Sequence, residues 1–253
     1  LELSKKELEE KVGQALDAPF MKNGRKVLKI TVSEKNLLVT TRENTYGENH
    51  YKNGFTADYS CVRRNETSPF TYHKTLNYGD CLREKHLAHE RGIDEPIFLN
   101  TKDILAEGAT TNVFFVKNGT IFTPSVQCGI LPGILRQYIC ERNPVQETEI
   151  YPEEIEIYDE MFLTNSLLGI MPVVSLGAHR FSSRSVSQRL MEEYALHMHG
   201  KDPAAMRGIM PKLQDALNFK LTTNLGIHYI RDAKYAKSKL GDMEKSIPSK
   251  LGE

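Results

Sequence analysis

"AEGATTNVFFVKNGTIFTP", residues 106–124, carries the strongest local signal in the chain. Two runs of apolar, β-branched and aromatic residues, "NVFFVK" and "TIFTP", flank the dipeptide Asn118–Gly119. The tight turn whose twist matches paired strands needs positive φ at both central residues. Asn-Gly meets that need at least cost, so the stretch predicts an antiparallel hairpin. Just ahead of it stand an acid, a glycine and the small residues Ala109, Thr110, Thr111 and Asn112. Such residues entering an apolar strand suit a backbone that lies close against a ligand. On this stretch alone, an ordinary turn with Glu107 in solvent is the simpler reading.

Downstream and upstream, "EPIFLN", "DEMFLTNSL" and "GIMPVVSLG" read as further strands. A helix is predicted from about Asn77 to Arg91, with Tyr78, Cys81, Leu82 and Ala88 on one face and Gly92 ending it. Residues 133–142 and 182–198 read as two more helices, the second capped by Ser182 or Ser183. Near the start, residues 3–16 read as a helix that Ser4 can cap. The strands "KVLKITVS" and "NLLVTTRE" follow, joined at Glu34–Lys35. "TYGENHYKNGFTADYS" (45–60) is polar and reads as an irregular connection, and "CVRRNETSP" returns to extended chain. The class is α+β, rich in antiparallel hairpins.

Composition narrows the partners. The chain has 253 residues, 40% of them hydrophobic, enough for a real core. Lys+Arg and Asp+Glu both number 33, so there is no global field to attract nucleic acid or a membrane surface. No apolar run reaches membrane-spanning length, and "LELSKKELEEKVGQ" has no signal-peptide core. Cys61, Cys81, Cys128 and Cys140 form no CxxC pair and read as reduced thiols, without a zinc site. A cytoplasmic globule is expected.

Three other stretches bear on chemistry. In "YHKTLNYGDCLREKHLAHERG" (72–92), Lys74 stands ahead of a helix, either a solvated charge or a functional amine. In "GILPGILRQY" (129–138), Gly133 opens a helix whose first amides belong to Gly133, Ile134 and Leu135. An uncapped helix start of this kind favours an anion such as a phosphate, although Pro-Gly also simply starts helices. In "FLTNSLLGIMPV" (162–173), the polar Thr164, Asn165 and Ser166 interrupt an apolar run, so they either satisfy local backbone or face a ligand.

Taken in order, a lysine, a glutamate about thirty residues on, a glycine-led helix start and Thr-Asn-Ser fit a pyridoxal phosphate site. From about residue 20 to 195 the chain resembles the class IV (fold type IV) pyridoxal-phosphate enzymes. These comprise branched-chain aminotransferases, D-amino acid aminotransferases and aminodeoxychorismate lyase. "EGATTNVFFVKNGTIFTP....GILPGILRQ" is similar to the family's signature, and "LTNSLLGIMPV" and "KTLNY" most resemble the lyase.

The resemblance implies roles. Lys74 would form the Schiff base and carry protons, and Glu107 would pair with the pyridine nitrogen. The Gly133, Ile134 and Leu135 amides, with Ser166 and Asn165, would hold the phosphate. Thr110 and Thr111 would lie near the cofactor, and Asn165 where the lyase positions its substrate. The implied activity is 4-amino-4-deoxychorismate lysis to pyruvate and p-aminobenzoate. The alternatives are a class IV aminotransferase acting on D-alanine or branched-chain amino acids, and a truncated, non-catalytic cofactor-binding protein. A small-molecule substrate and a homodimer are implied, with no nucleic acid and no membrane.

The family's chains open with a segment that supplies an arginine to the phosphate, and this sequence shows no counterpart. Residues 1–69 are therefore expected to be a remnant of the small N-terminal α/β domain, with an unpaired sheet edge. Residues 70–198 would be the larger, β-barrel-like cofactor domain, and 199–253 a mildly basic helical tail.

Overall fold

The computed structural model describes residues 5–22, 26–33, 36–199 and 226–228. Two compact units divide the chain, one made of residues 1–43 with 199–253, the other of residues 44–198. The division falls between Glu43 and Asn44, ahead of the 69/70 boundary expected from sequence.

In the first unit, α1 (Lys5–Asp17) lies against the hairpin of β1 (Lys26–Val32) and β2 (Leu37–Glu43). Leu8 and Val12, one turn apart, meet Leu28, Ile30, Val32 and Leu37 in a closed apolar cluster. Ser4 and the turn Glu34–Lys35 lie outside the described residues.

The second unit holds α2 (Glu48–Asn53), β3 (Phe55–Arg64), α3 (Gly79–Glu90), β4 (Glu95–Asn100), β5 (Leu105–Gly108), β6 (Asn112–Lys117) and β7 (Thr120–Pro124). After these come α4 (Ile134–Arg142), β8 (Val145–Thr148), β9 (Glu160–Asn165), β10 (Gly169–Leu176), β11 (His179–Arg180) and α5 (Ser185–His199). Of the tail, the described part is the strand β12 (Gly226–His228), which pairs antiparallel with β1 in the first unit. That pairing covers the β1 side of a sheet that was expected to keep an unpaired edge; the helices expected in the tail fall outside the described residues.

The second unit is built on one mixed sheet, in the order β5-β4-β3-β10-β9-β6-β7-β8, with β11 on β10. It curls until its ends approach, and the Leu105 N–H donates to the Ile150 carbonyl at 2.8 Å. The apolar core lies inside the curl, among Phe55, Ile97, Leu105, Phe115, Met161 and Met171. Phe114 and Phe162 face each other across β6 and β9 and stack at 4.9 Å. The β6–β7 turn is as its dipeptide requires, with φ of 50° at Asn118 and 78° at Gly119.

Two expectations need correction. The stretch 45–60 is not irregular, since it contains α2 and most of β3, a central strand with parallel neighbours on both sides. Phe55, Ala57 and Ser60 point inward between polar partners, a pattern the polar surroundings hide. On α3 the buried residues are Cys81, Glu84 and Ala88, while Leu82 is 50% exposed. Glu84 takes an inward place because the Ser60 hydroxyl donates to it at 2.9 Å. The start of α5 is capped chiefly by Glu160, whose carboxylate accepts the Val186 and Ser187 N–H groups; Ser183 Oγ accepts that of Ser185.

Candidate active site

The site forms where the ends of β3, β5 and β9 and the start of β6 meet the connections leading into α3 and α4. Glu107, on β5, is buried, and its carboxylate pairs with Arg64 at the end of β3 at 2.8 Å. It also accepts the Leu131 N–H at 2.9 Å and the Asn112 side-chain amide at 3.4 Å. Burial pushes its pKa up to about 7, against the pull of Arg64, the Leu131 N–H and Lys74. The turn reading of this stretch, with Glu107 in solvent, therefore fails.

Lys74 lies between the 3-10 turn Pro69–Tyr72 and α3, half-buried, with its ammonium 5.7 Å from the Tyr78 ring centroid. Its field reaches both Glu107 and Cys81. Burial raises the Cys81 pKa while Arg64 and Lys74 oppose it, and Arg64 donates to the Cys81 sulfur at 3.4 Å.

The Gly108–Asn112 turn is held from below by a buried ion pair. Glu95 accepts the Thr110 N–H at 3.0 Å and the Thr111 hydroxyl at 2.9 Å, while Lys85 bonds Glu95 at 2.7 Å and Thr110 Oγ1 at 3.0 Å. Burial presses the Lys85 ammonium toward neutrality, yet Glu95 and Tyr46 outweigh it and its pKa stands above the usual value. Asn165 donates to the Thr110 carbonyl at 3.0 Å and accepts the Leu167 and Leu168 N–H groups, both at 2.8 Å. Of the two readings of Thr164–Ser166, the backbone one holds for Asn165; Ser166 is exposed and Thr164 buried.

Gly133 is the N-cap of α4, and no side chain caps that helix start. A Cβ there would collide with Asn112 Oδ1. Leu135 is buried, and Asn112 binds the Leu131 carbonyl at 2.8 Å. Glu107 and Gly133 thus share one set of contacts, Thr110, Thr111 and Asn165 share another around Glu95, the two sets adjoin along residues 107–112, and the field of Lys74 reaches Glu107. Arg64, Asn112 and Lys85 join them without having been singled out from sequence. In "CVRRN" nothing marks which arginine turns inward, because that depends on where β3 begins.

Residues 1–176 match the family described as amino-transferase class IV. The chain belongs to this family. Its members depend on pyridoxal phosphate. An aminodeoxychorismate lyase of Bacillus subtilis is 33% identical over 132 residues, 49% of this chain and 44% of that protein. Branched-chain amino acid aminotransferase 2, chloroplastic, of Humulus lupulus is 33% identical over 114 residues, 42% of this chain and 28% of that one. Among solved structures, the pyridoxal-phosphate form of a branched-chain amino acid aminotransferase from Thermobaculum terrenum aligns with a TM-score of 0.58 at 26% identity. That alignment covers 68% of this chain and 62% of the other. The chain spans about half, or less, of the length of the curated relatives it matches.

The residues present fit the family's cofactor on structural grounds. A buried carboxylate with a raised pKa is stabilised in its charged form by a cationic N–H group. The neighbouring Arg64 Nε is buried without a partner among the described residues. The α4 start offers uncapped amides beside a glycine.

Proposed function

We propose that this chain is the cofactor-bearing part of a pyridoxal-phosphate lyase that cleaves 4-amino-4-deoxychorismate to pyruvate and p-aminobenzoate. The observation that carries the cofactor reading is Glu107, an acid buried against Arg64, within the field of Lys74 and tied to the α4 start. When bound, pyridoxal phosphate supplies an electron sink for negative charge developing beside the substrate amine. Lys74 Nζ would hold it covalently and, once released, take and return a proton. Glu107 would face the pyridine nitrogen, and Arg64 favours the ionised carboxylate that such a nitrogen requires. The amides of Gly133, Ile134 and Leu135, with Ser166, would take the phosphate. Asn165 would shape the substrate side through its hold on Thr110.

The lyase assignment rests on the Bacillus subtilis relative and on "LTNSLLGIMPV". A class IV aminotransferase is the second reading, favoured by the Humulus lupulus relative and the Thermobaculum terrenum structure. A homodimer in the cytoplasm is part of the same proposal.

The test is a product assay on the purified, cofactor-loaded protein. Equal amounts of pyruvate and p-aminobenzoate from aminodeoxychorismate are expected. Glutamate made from leucine and 2-oxoglutarate, with no p-aminobenzoate, would select the aminotransferase. No product from either mixture, with the cofactor bound, would select the non-catalytic reading.

A further inference from the structure

Asn112 opens β6 and is itself buried. Its Nδ2 faces two acceptors, the Leu131 carbonyl at 2.8 Å and Glu107 Oε2 at 3.4 Å. Because both partners accept, the amide must point its NH₂ that way, and Oδ1 then faces Gly133. On that side a Cβ at Gly133 would collide with Oδ1 and lie 3.3 Å from Asn112 Cγ. The Leu131 N–H closes the loop by donating to the same Glu107 oxygen at 2.9 Å. One side chain therefore touches the carboxylate, the strand-to-helix connection and the N-cap of α4.

We infer that Asn112 is a positioning residue that interlocks the two ends of the cofactor site, setting Glu107 and the α4 start in one fixed relation. The inference rests on the cofactor reading above and names what sets the geometry of that site. Loss of the amide would free both ends together. Its replacement by a carboxyl, in Asn112→Asp, would put an acceptor against two acceptors. At high pH that means two carboxylates in contact, with Arg64, Lys74 and Cys81 the other titratable or charged groups facing Glu107. As pH falls the pair takes up one shared proton, and the introduced carboxyl regains the donor that Asn112 supplies in the wild type.

The test measures the dissociation constant of pyridoxal phosphate for the wild type, Asn112→Asp, Asn112→Ser, Gly133→Ala and Asn112→Ser/Gly133→Ala, each verified as folded. Gly133→Ala should weaken binding at least ~10-fold with Asn112 present and ~3-fold or less in the Asn112→Ser background, where the new Cβ meets no amide. The ratio of the Asn112→Asp constant to that of the wild type should fall from ~10-fold or more at about pH 8.5 to ~3-fold or less at about pH 6. The corresponding Asn112→Ser ratio should stay level. Additive losses in the double variant together with a flat Asn112→Asp ratio would overturn the inference while leaving the cofactor reading intact. A folded wild type that takes up no pyridoxal phosphate would overturn both.

Discussion

Glu107 shows how a single side chain changes meaning between sequence and structure. Next to a glycine and ahead of a polar turn it could have been a surface acid. Buried, it holds a proton to about pH 7 against an ordinary value of 4.5. A carboxyl whose folded pKa is raised contributes stability below its unfolded pKa and loses it as pH rises through the folded one. Glu107→Gln carries no such titration. In the cofactor-free protein, the unfolding free energy of wild type relative to Glu107→Gln should therefore fall between about pH 4.5 and 7, by on the order of 3 kcal/mol. Denaturant unfolding at a series of pH values measures this, and a constant difference would show that Glu107 titrates like a surface acid. Lys74, Glu107 and the Gly133 start could be singled out because their order along the chain fits one chemistry, and their roles in it are part of the proposed reading. Arg64 and Asn112 were not, because their roles depend on which face of β3 turns inward and on how closely β6 approaches the connection into α4.

At the scale of elements, legibility followed local chemistry. The Asn118–Gly119 hairpin could be read directly, since its backbone conformation is a local demand that two residues satisfy. Gly119→Ala should destabilise by about 1–2 kcal/mol, the cost of a Cβ at positive φ. A thermal shift within error of wild type would contradict that explanation of the turn. β3 was hidden for the opposite reason. Its buried Ser60 and its Arg64 end find partners far off in the chain, as when Ser60 donates to Glu84 and Arg64 meets Glu107. The inward Glu84 and outward Leu82 on α3 follow from the same partnership, which overrides the hydrophobic pattern.

For the whole molecule, the curled sheet of the second unit explains why residues far apart in sequence reach one place. β3 lies beside β4 and β10, β5 closes against the end of the β8 segment, and β6 lies beside β9. Arg64, Glu107, Asn112 and Asn165 therefore arrive at the same rim, and the connections into α3 and α4 add Lys74 and Gly133. On the proposed reading, this convergence selects one lysine for the cofactor. Borohydride reduction of the protein with pyridoxal phosphate, followed by peptide mapping, identifies that lysine. The label should fall on the peptide containing Lys74 and vanish in Lys74→Ala, whereas a label on any other lysine, or none, would refute the assignment.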